Sequence, residues 1–109
     1  MTIESANGHT VIALTGELDL AVAPKLESCL SDLALGAGDT LVIDLSELEF
    51  LDSSGLRVLV VAHQRAEQEG FRFVLVRGSD PVARIFELTR MDQQLEIVPS
   101  RDALAALEG

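Results

Sequence analysis

The chain has no tryptophan and no tyrosine, and 4 phenylalanines in 109 residues. Side chains that usually anchor interfaces or stack on nucleic-acid bases are therefore nearly missing. It has 1 cysteine, Cys29, so no internal disulfide can form and cysteine-rich metal sites are ruled out. Basic residues are scarce as well: 8 Lys and Arg stand against 18 Asp and Glu, a net charge of −10. That balance argues strongly against a nucleic-acid partner, whose phosphates need basic surface, and against anionic membranes. A partner with a basic face fits better, because charge complementarity speeds the encounter. No apolar run reaches the length of a membrane span. The start of the chain carries Glu4 and no basic cluster, so no signal peptide is expected. A chain without disulfides or Cys/His clusters reads as cytoplasmic.

What is present is apolar patterning. The chain is 48% hydrophobic, enough for one core, and its length fits a single domain over residues 1–109. Val11-Ile12-Ala13-Leu14-Thr15, closed by Gly16, reads as a strand. Thr2 to Ala6 is expected as an edge strand joined to it through Asn7-Gly8, a hairpin signal. Val22, Leu26, Cys29, Leu30 and Leu33 recur at helical spacing, with Pro24 in the first turn and Gly36 and Gly38 as terminators. Leu41 to Leu45 is a strand apolar on both faces except at Asp44, which implies cover on both sides. Leu56 to Gln68 is too long for a typical strand and ends before Gly70, so it reads as a helix. Phe71 to Val76 is a further strand. Asp80 is expected to cap a helix with Pro81 at its first position and a stripe of Val82, Ile85, Phe86 and Leu88. Leu95 to Val98 is a final strand, and Ser100 caps a last helix through Leu107. Strands alternating with helices predict an α/β fold with a mostly parallel sheet, right-handed crossovers and an antiparallel strand at or near one edge.

Function is sought at Asp52-Ser53-Ser54-Gly55. Two hydroxyls between a strand and a helix lie where backbone N–H groups and a positive dipole end face solvent. A serine hydrolase is disfavoured: the glycine expected two residues before a nucleophile is absent, and the only histidines are His9 and His63. His63 and Cys29 have no partners at metal-ligand spacing. Gly36-Ala37-Gly38 follows a helix and precedes a strand, the reverse of a phosphate loop. Glu17, Asp19, Asp44 and Asp52 could gather around magnesium, but turn and capping roles explain them more simply. For the serines, the residues alone leave simple helix capping as the plainer explanation.

Three stretches together resemble the anti-sigma factor antagonists, the bacterial STAS-domain proteins: Thr15-Gly16-Glu17-Leu18-Asp19, Val42-Ile43-Asp44-Leu45 and Phe50-Leu51-Asp52-Ser53-Ser54-Gly55-Leu56. The resemblance runs over nearly the whole chain. It implies a STAS fold, a small mixed central sheet of about five strands flanked by about four helices. It implies a binding protein rather than an enzyme, without a cofactor. The serine after the motif's aspartate, here Ser53 with Ser54 as second candidate, would be phosphorylated by the partner, an anti-sigma factor that is an ATP-dependent serine kinase. The unphosphorylated form would bind that partner and release a sigma factor, and a metal-dependent serine phosphatase would restore it. Asp19 would lie near the acceptor. Asp19, Leu20, Asp52, Ser54, Gly55, Leu56 and Arg57 would form the docking surface. Many relatives carry glycine where this chain has Arg57. The alternative is a STAS subunit of a larger signalling or lipid-transport complex in which the serine is silent.

Overall fold

A computed structural model describes residues 1–6 and 8–108. The strands are β1 (Thr2–Ala6), β2 (His9–Leu18), β3 (Thr40–Leu51), β4 (Arg72–Val76) and β5 (Glu96–Val98). The helices are α1 (Ala23–Asp32), α2 (Ser53–Glu69), α3 (Asp80–Leu88) and α4 (Arg101–Glu108), with a 3-10 turn at Met91–Gln93. The five strands form one sheet in the order β1-β2-β3-β4-β5. β1 runs antiparallel to β2 at the edge, and the other neighbours are parallel. The expected alternation of elements is thus found. Asn7 of the expected Asn7-Gly8 turn lies outside the described residues; Ala6 pairs with His9, and Gly8 has the positive φ such a connection needs.

Period-two alternation sends each strand's side chains to two sides. Ile12, Leu41, Ile43, Phe73 and Leu75 join a cluster with Leu26 and Leu30 of α1, Leu59 and Ala62 of α2 and Phe86 of α3. Val42, Val74, Val76 and Val98 form a second cluster, against which Ala103 and Leu104 of α4 pack. Three helices therefore cover one face, and α4 covers the other. Crossovers of one hand, all stepping the same way along the sheet, put their helices on the same side.

Leu41 to Leu45 are all buried, as their apolar run implied. Beyond them β3 continues to Leu51, further than alternation predicts. The pairing with β2 slips twice, between Ala13 and Thr15 and between Gly16 and Glu17. Each slip gives β3 an extra residue, as a β-bulge does. Leu45, Leu48 and Leu51, three residues apart, are consequently all buried. Asp44 stands at the first slip and accepts the Ser46 N–H at 2.9 Å. Gly16, at the second, has φ +71, a left-handed conformation that glycine adopts without strain.

Two helix boundaries differ from expectation. α1 ends at Asp32, before Gly36 and Gly38, because Leu33 is already extended. Arg65 of α2 donates to the carbonyl of Leu30 at 2.7 Å, which also accepts the Leu33 N–H at 3.2 Å, and to that of Leu33 at 3.0 Å, so it serves the helix end where a terminal glycine motif would otherwise do so. α3 has Ser79, not Asp80, at its cap position. Asp80 is the first helical residue and accepts from Arg77 at 2.9 Å.

Candidate functional site

α2 starts at Ser53 because Asp52 leaves the helical region and caps it. Asp52 is extended, and its Oδ1 accepts the Gly55 N–H at 3.0 Å, the usual bond from a cap to the third helical residue. Its Oδ2 accepts the Leu20 N–H at 3.0 Å, and its own N–H donates to the Leu18 carbonyl at 3.2 Å. One residue thus fastens the loop after β2 to the start of α2, 32 positions away in sequence. Asp19, in that loop, turns its Oδ1 to the N–H groups of Ala21 and Val22 at 3.0 and 3.1 Å. It shapes the entry to α1 and makes no bond to either serine.

Gly55 explains the closeness of these two segments. A Cβ there would stand 2.6 Å from the Leu18 carbonyl oxygen and Cγ, and 2.8 Å from Leu51. Glycine is required here by space, since its backbone does not have positive φ.

The structure brings Leu18, Asp19 and Leu20 to Asp52, Ser53, Ser54 and Gly55. Ser53 is exposed and Ser54 half-buried, so the first hydroxyl is the more accessible. Leu20 is 73% exposed. Leu56, expected beside it, is half-buried and packs on the core. Arg57 is exposed, one turn beyond Ser53. Sequence reading did not single out the Phe50 side chain, which is 49% exposed. Its signal is a phenylalanine in a chain with so few aromatics, placed where a bulge changes which residues face inward.

The acids do not gather. Asp19 and Asp52 are engaged with N–H groups, and Asp44 meets Arg101 of α4 on the other face. Among the described residues no three of His, Cys, Asp and Glu are placed to hold a metal ion. His63 contacts Glu67 at 3.1 Å and the Phe73 ring; ten residues along a helix separate it from Ser53 by about 15 Å, too far to serve as its base. An open recess of about 560 Å³ lies on the α4 side, lined by Asp44, Ser46, Glu47 and Arg101, and includes neither serine. No helix among the described residues is long and apolar enough to cross a membrane. The serine end of the sheet offers one exposed hydroxyl on a firmly tied turn, with the exposed Phe50 on the strand that leads into it and the exposed Leu20 in the loop that Asp52 fastens to it.

Comparison with known proteins agrees with the fold. The family model for the STAS domain matches residues 1–104. The chain is 36% identical over 94 residues to the anti-sigma-B factor antagonist of Listeria monocytogenes, covering 86% of this chain and 82% of that protein. It is 33% identical over 110 aligned positions to the anti-sigma-F factor antagonist RsfB of Mycobacterium tuberculosis, covering 100% and 89%. The crystal structure of an anti-sigma factor antagonist from Mycobacterium paratuberculosis has a TM-score of 0.84 at 33% identity, covering 99% of this chain and 92% of that one.

Proposed function

The chain belongs to the STAS domain family and, within it, to the anti-sigma factor antagonists, and from that premise we propose that Ser53 is a phosphorylation switch on its partner-binding surface. The unphosphorylated form binds an anti-sigma factor and thereby releases a sigma factor. The anti-sigma factor is itself a serine kinase: Ser53 Oγ takes the γ-phosphoryl group of ATP, ADP leaves, and the hydroxyl proton is lost. A metal-dependent serine phosphatase returns the protein to its binding form. These reactions belong to the cytoplasm, where ATP is available. The protein is a substrate and a ligand in this cycle, with no catalysis of its own.

The observation that carries this reading is the position of Ser53, exposed at the first helical residue and directly after Asp52, which ties the loop of the exposed Leu20 to this turn. A phosphate adds about −1.5 to −2 charge there. It would enter an interface next to exposed apolar side chains and close to Asp52, Asp19 and Glu49. Asp52 is already bonded on both oxygens, so the turn has no need to refold; charge and bulk suffice. A 100-fold loss of affinity requires about 2.7 kcal/mol, within reach of a desolvated, mispaired anion.

The test combines phosphosite mapping with binding. After incubation with candidate anti-sigma kinases and ATP, mass spectrometry should place phosphate on Ser53. In calorimetry, Ser53→Ala should bind the anti-sigma factor as the wild type does, and Ser53→Asp far more weakly. Equal affinity for all three would sink the switch and favour a constitutive STAS subunit. Phosphate on Ser54 would move the acceptor by one residue.

A further inference from the structure

Most arginines of this acidic chain have a carboxylate. Arg65 pairs with Glu69, Arg72 with Glu96, Arg77 with Asp80 and Arg101 with Asp44. Arg84 has Asp80 and Glu87 four and three positions away on its helix. Arg57 differs. It is exposed and its guanidinium, like those of Arg84 and Arg90, enters no hydrogen bond or ion pair among the described residues, but it alone of the three has no acid within four positions in the sequence. The positions three and four residues from it on α2 are Ser53, Ser54, Val60 and Val61, with no acid among them. In residues 1–56 the only Lys or Arg is Lys25. An unpaired guanidinium therefore stands one helical turn from the exposed Ser53, in a part of the chain otherwise rich in acids.

We propose that Arg57 is the residue that holds the phosphate of phosphorylated Ser53. The inference rests on Ser53 being the acceptor. Phosphorylation supplies the acid that Arg57 lacks, at four residues' spacing and with the acid N-terminal to the base, the favourable order on a helix. The planar guanidinium offers parallel N–H donors that match two phosphate oxygens. Both residues are exposed, so the pair forms without unpacking the core. The acids on neighbouring elements, Glu17 on β2, Asp19 in the loop after it, Glu49 on β3 and Asp52 at the cap, oppose a second negative charge on the phosphate; Arg57 favours it. The pair draws the phosphate back along α2, so that the switched form presents a defined anion in place of a mobile one.

The experiment places phosphoserine at position 53 during translation, which removes any need for a kinase, and follows the phosphate by ³¹P NMR from pH 4 to pH 8. The second ionisation of a phosphoserine falls near pH 6. Its midpoint should lie about half a unit higher in Arg57→Gln than in the otherwise wild-type phosphoprotein, about a threefold change. Arg57→Lys should recover part of the difference, because it restores charge without the fork. Coincident midpoints for wild type and Arg57→Gln would overturn the pair. The outcome is separate from the kinase question. Failure of kinases to modify Ser53 defeats the switch and leaves the NMR shift standing; phosphate on Ser53 with coincident midpoints defeats Arg57 alone.

Discussion

On one side of the sheet, a continuous cluster reaches from Ile12 to Leu95 beneath α1, α2 and α3; on the other, the described part of α4 meets Val42, Val74, Val76 and Val98. The first side is held by area, through many side chains that interdigitate with no single essential contact. The second depends more on one interaction: Asp44, 5% exposed, accepts from the Arg101 guanidinium at the start of α4. The difference teaches where each side can yield. The serine turn is built on the crowded side, with Gly55 pressed against Leu18 and Leu51, so a partner can press on it without deforming it. The α4 side is where opening should begin.

The comparison can be broken most forcefully from the crowded side. Leu59 is 0% exposed in its cluster, and Leu59→Ala should cost about 2–5 kcal/mol, measured by urea denaturation. A loss well below that would mean that this side, too, is loosely held. Next comes Gly55→Ala. The new methyl group must displace backbone and branched side chains, an overpacking cost of about 1–3 kcal/mol. The same substitution should weaken anti-sigma factor binding, since it moves the Ser53 turn; unchanged stability and affinity would show that the close approach has slack.

Arg101→Ala probes the thin side. Its guanidinium is partly exposed, so the expected cost is about 1–2 kcal/mol, below that of breaking a fully buried pair. Hydrogen exchange should accelerate in α4 while the amides of α2 keep their protection. Acid should erase the difference between this variant and the wild type. Burial pushes the Asp44 carboxyl up, but the bonds from Ser46 and Arg101 outweigh it and hold it below its ordinary value. The folded value is therefore lower than the unfolded one. The stabilisation is complete above about pH 4 and is lost as pH falls through the folded value. Urea titrations of both proteins down this range should converge. The smallest effect on folding belongs to Leu20→Ala, within about 0.5 kcal/mol because the side chain is in solvent. Partner affinity should nonetheless drop, which would set the surface of the crowded side apart from its interior.

Much of this architecture is legible in the sequence wherever a local period survives. Leu41 to Leu45 and Phe71 to Val76 read as strands from their apolar runs, and Leu56 to Gln68 as a helix from its length and the Gly70 that follows, because neighbours in the chain share one environment. The end of β3 is not legible. Leu45, Leu48 and Leu51 are spaced by three, a pattern of neither a regular strand nor a long helix, and only the two slips against β2 give it sense. The close of α1 is equally hidden, since Arg65 comes from another helix. At the serine turn, the capping role of Asp52 follows from its neighbours. Its bond to Leu20 does not, because nothing local indicates that the loop after β2 approaches it. Asp44 stands out in sequence as a lone acid in an apolar strand, yet its partner Arg101 lies 57 positions away.

The strand order carries a consequence for how the molecule is made. Each strand lies beside the one synthesised just before it, so no segment has to wait for a distant one, and contacts of short sequence separation favour rapid folding. During translation, when folding proceeds from the N-terminus, β2, α1, β3 and α2 can close on one another while β5 and α4 are still unmade. Leu20, Asp52, Ser53 and Gly55 all belong to that first assembly, and the later elements extend the sheet away from it.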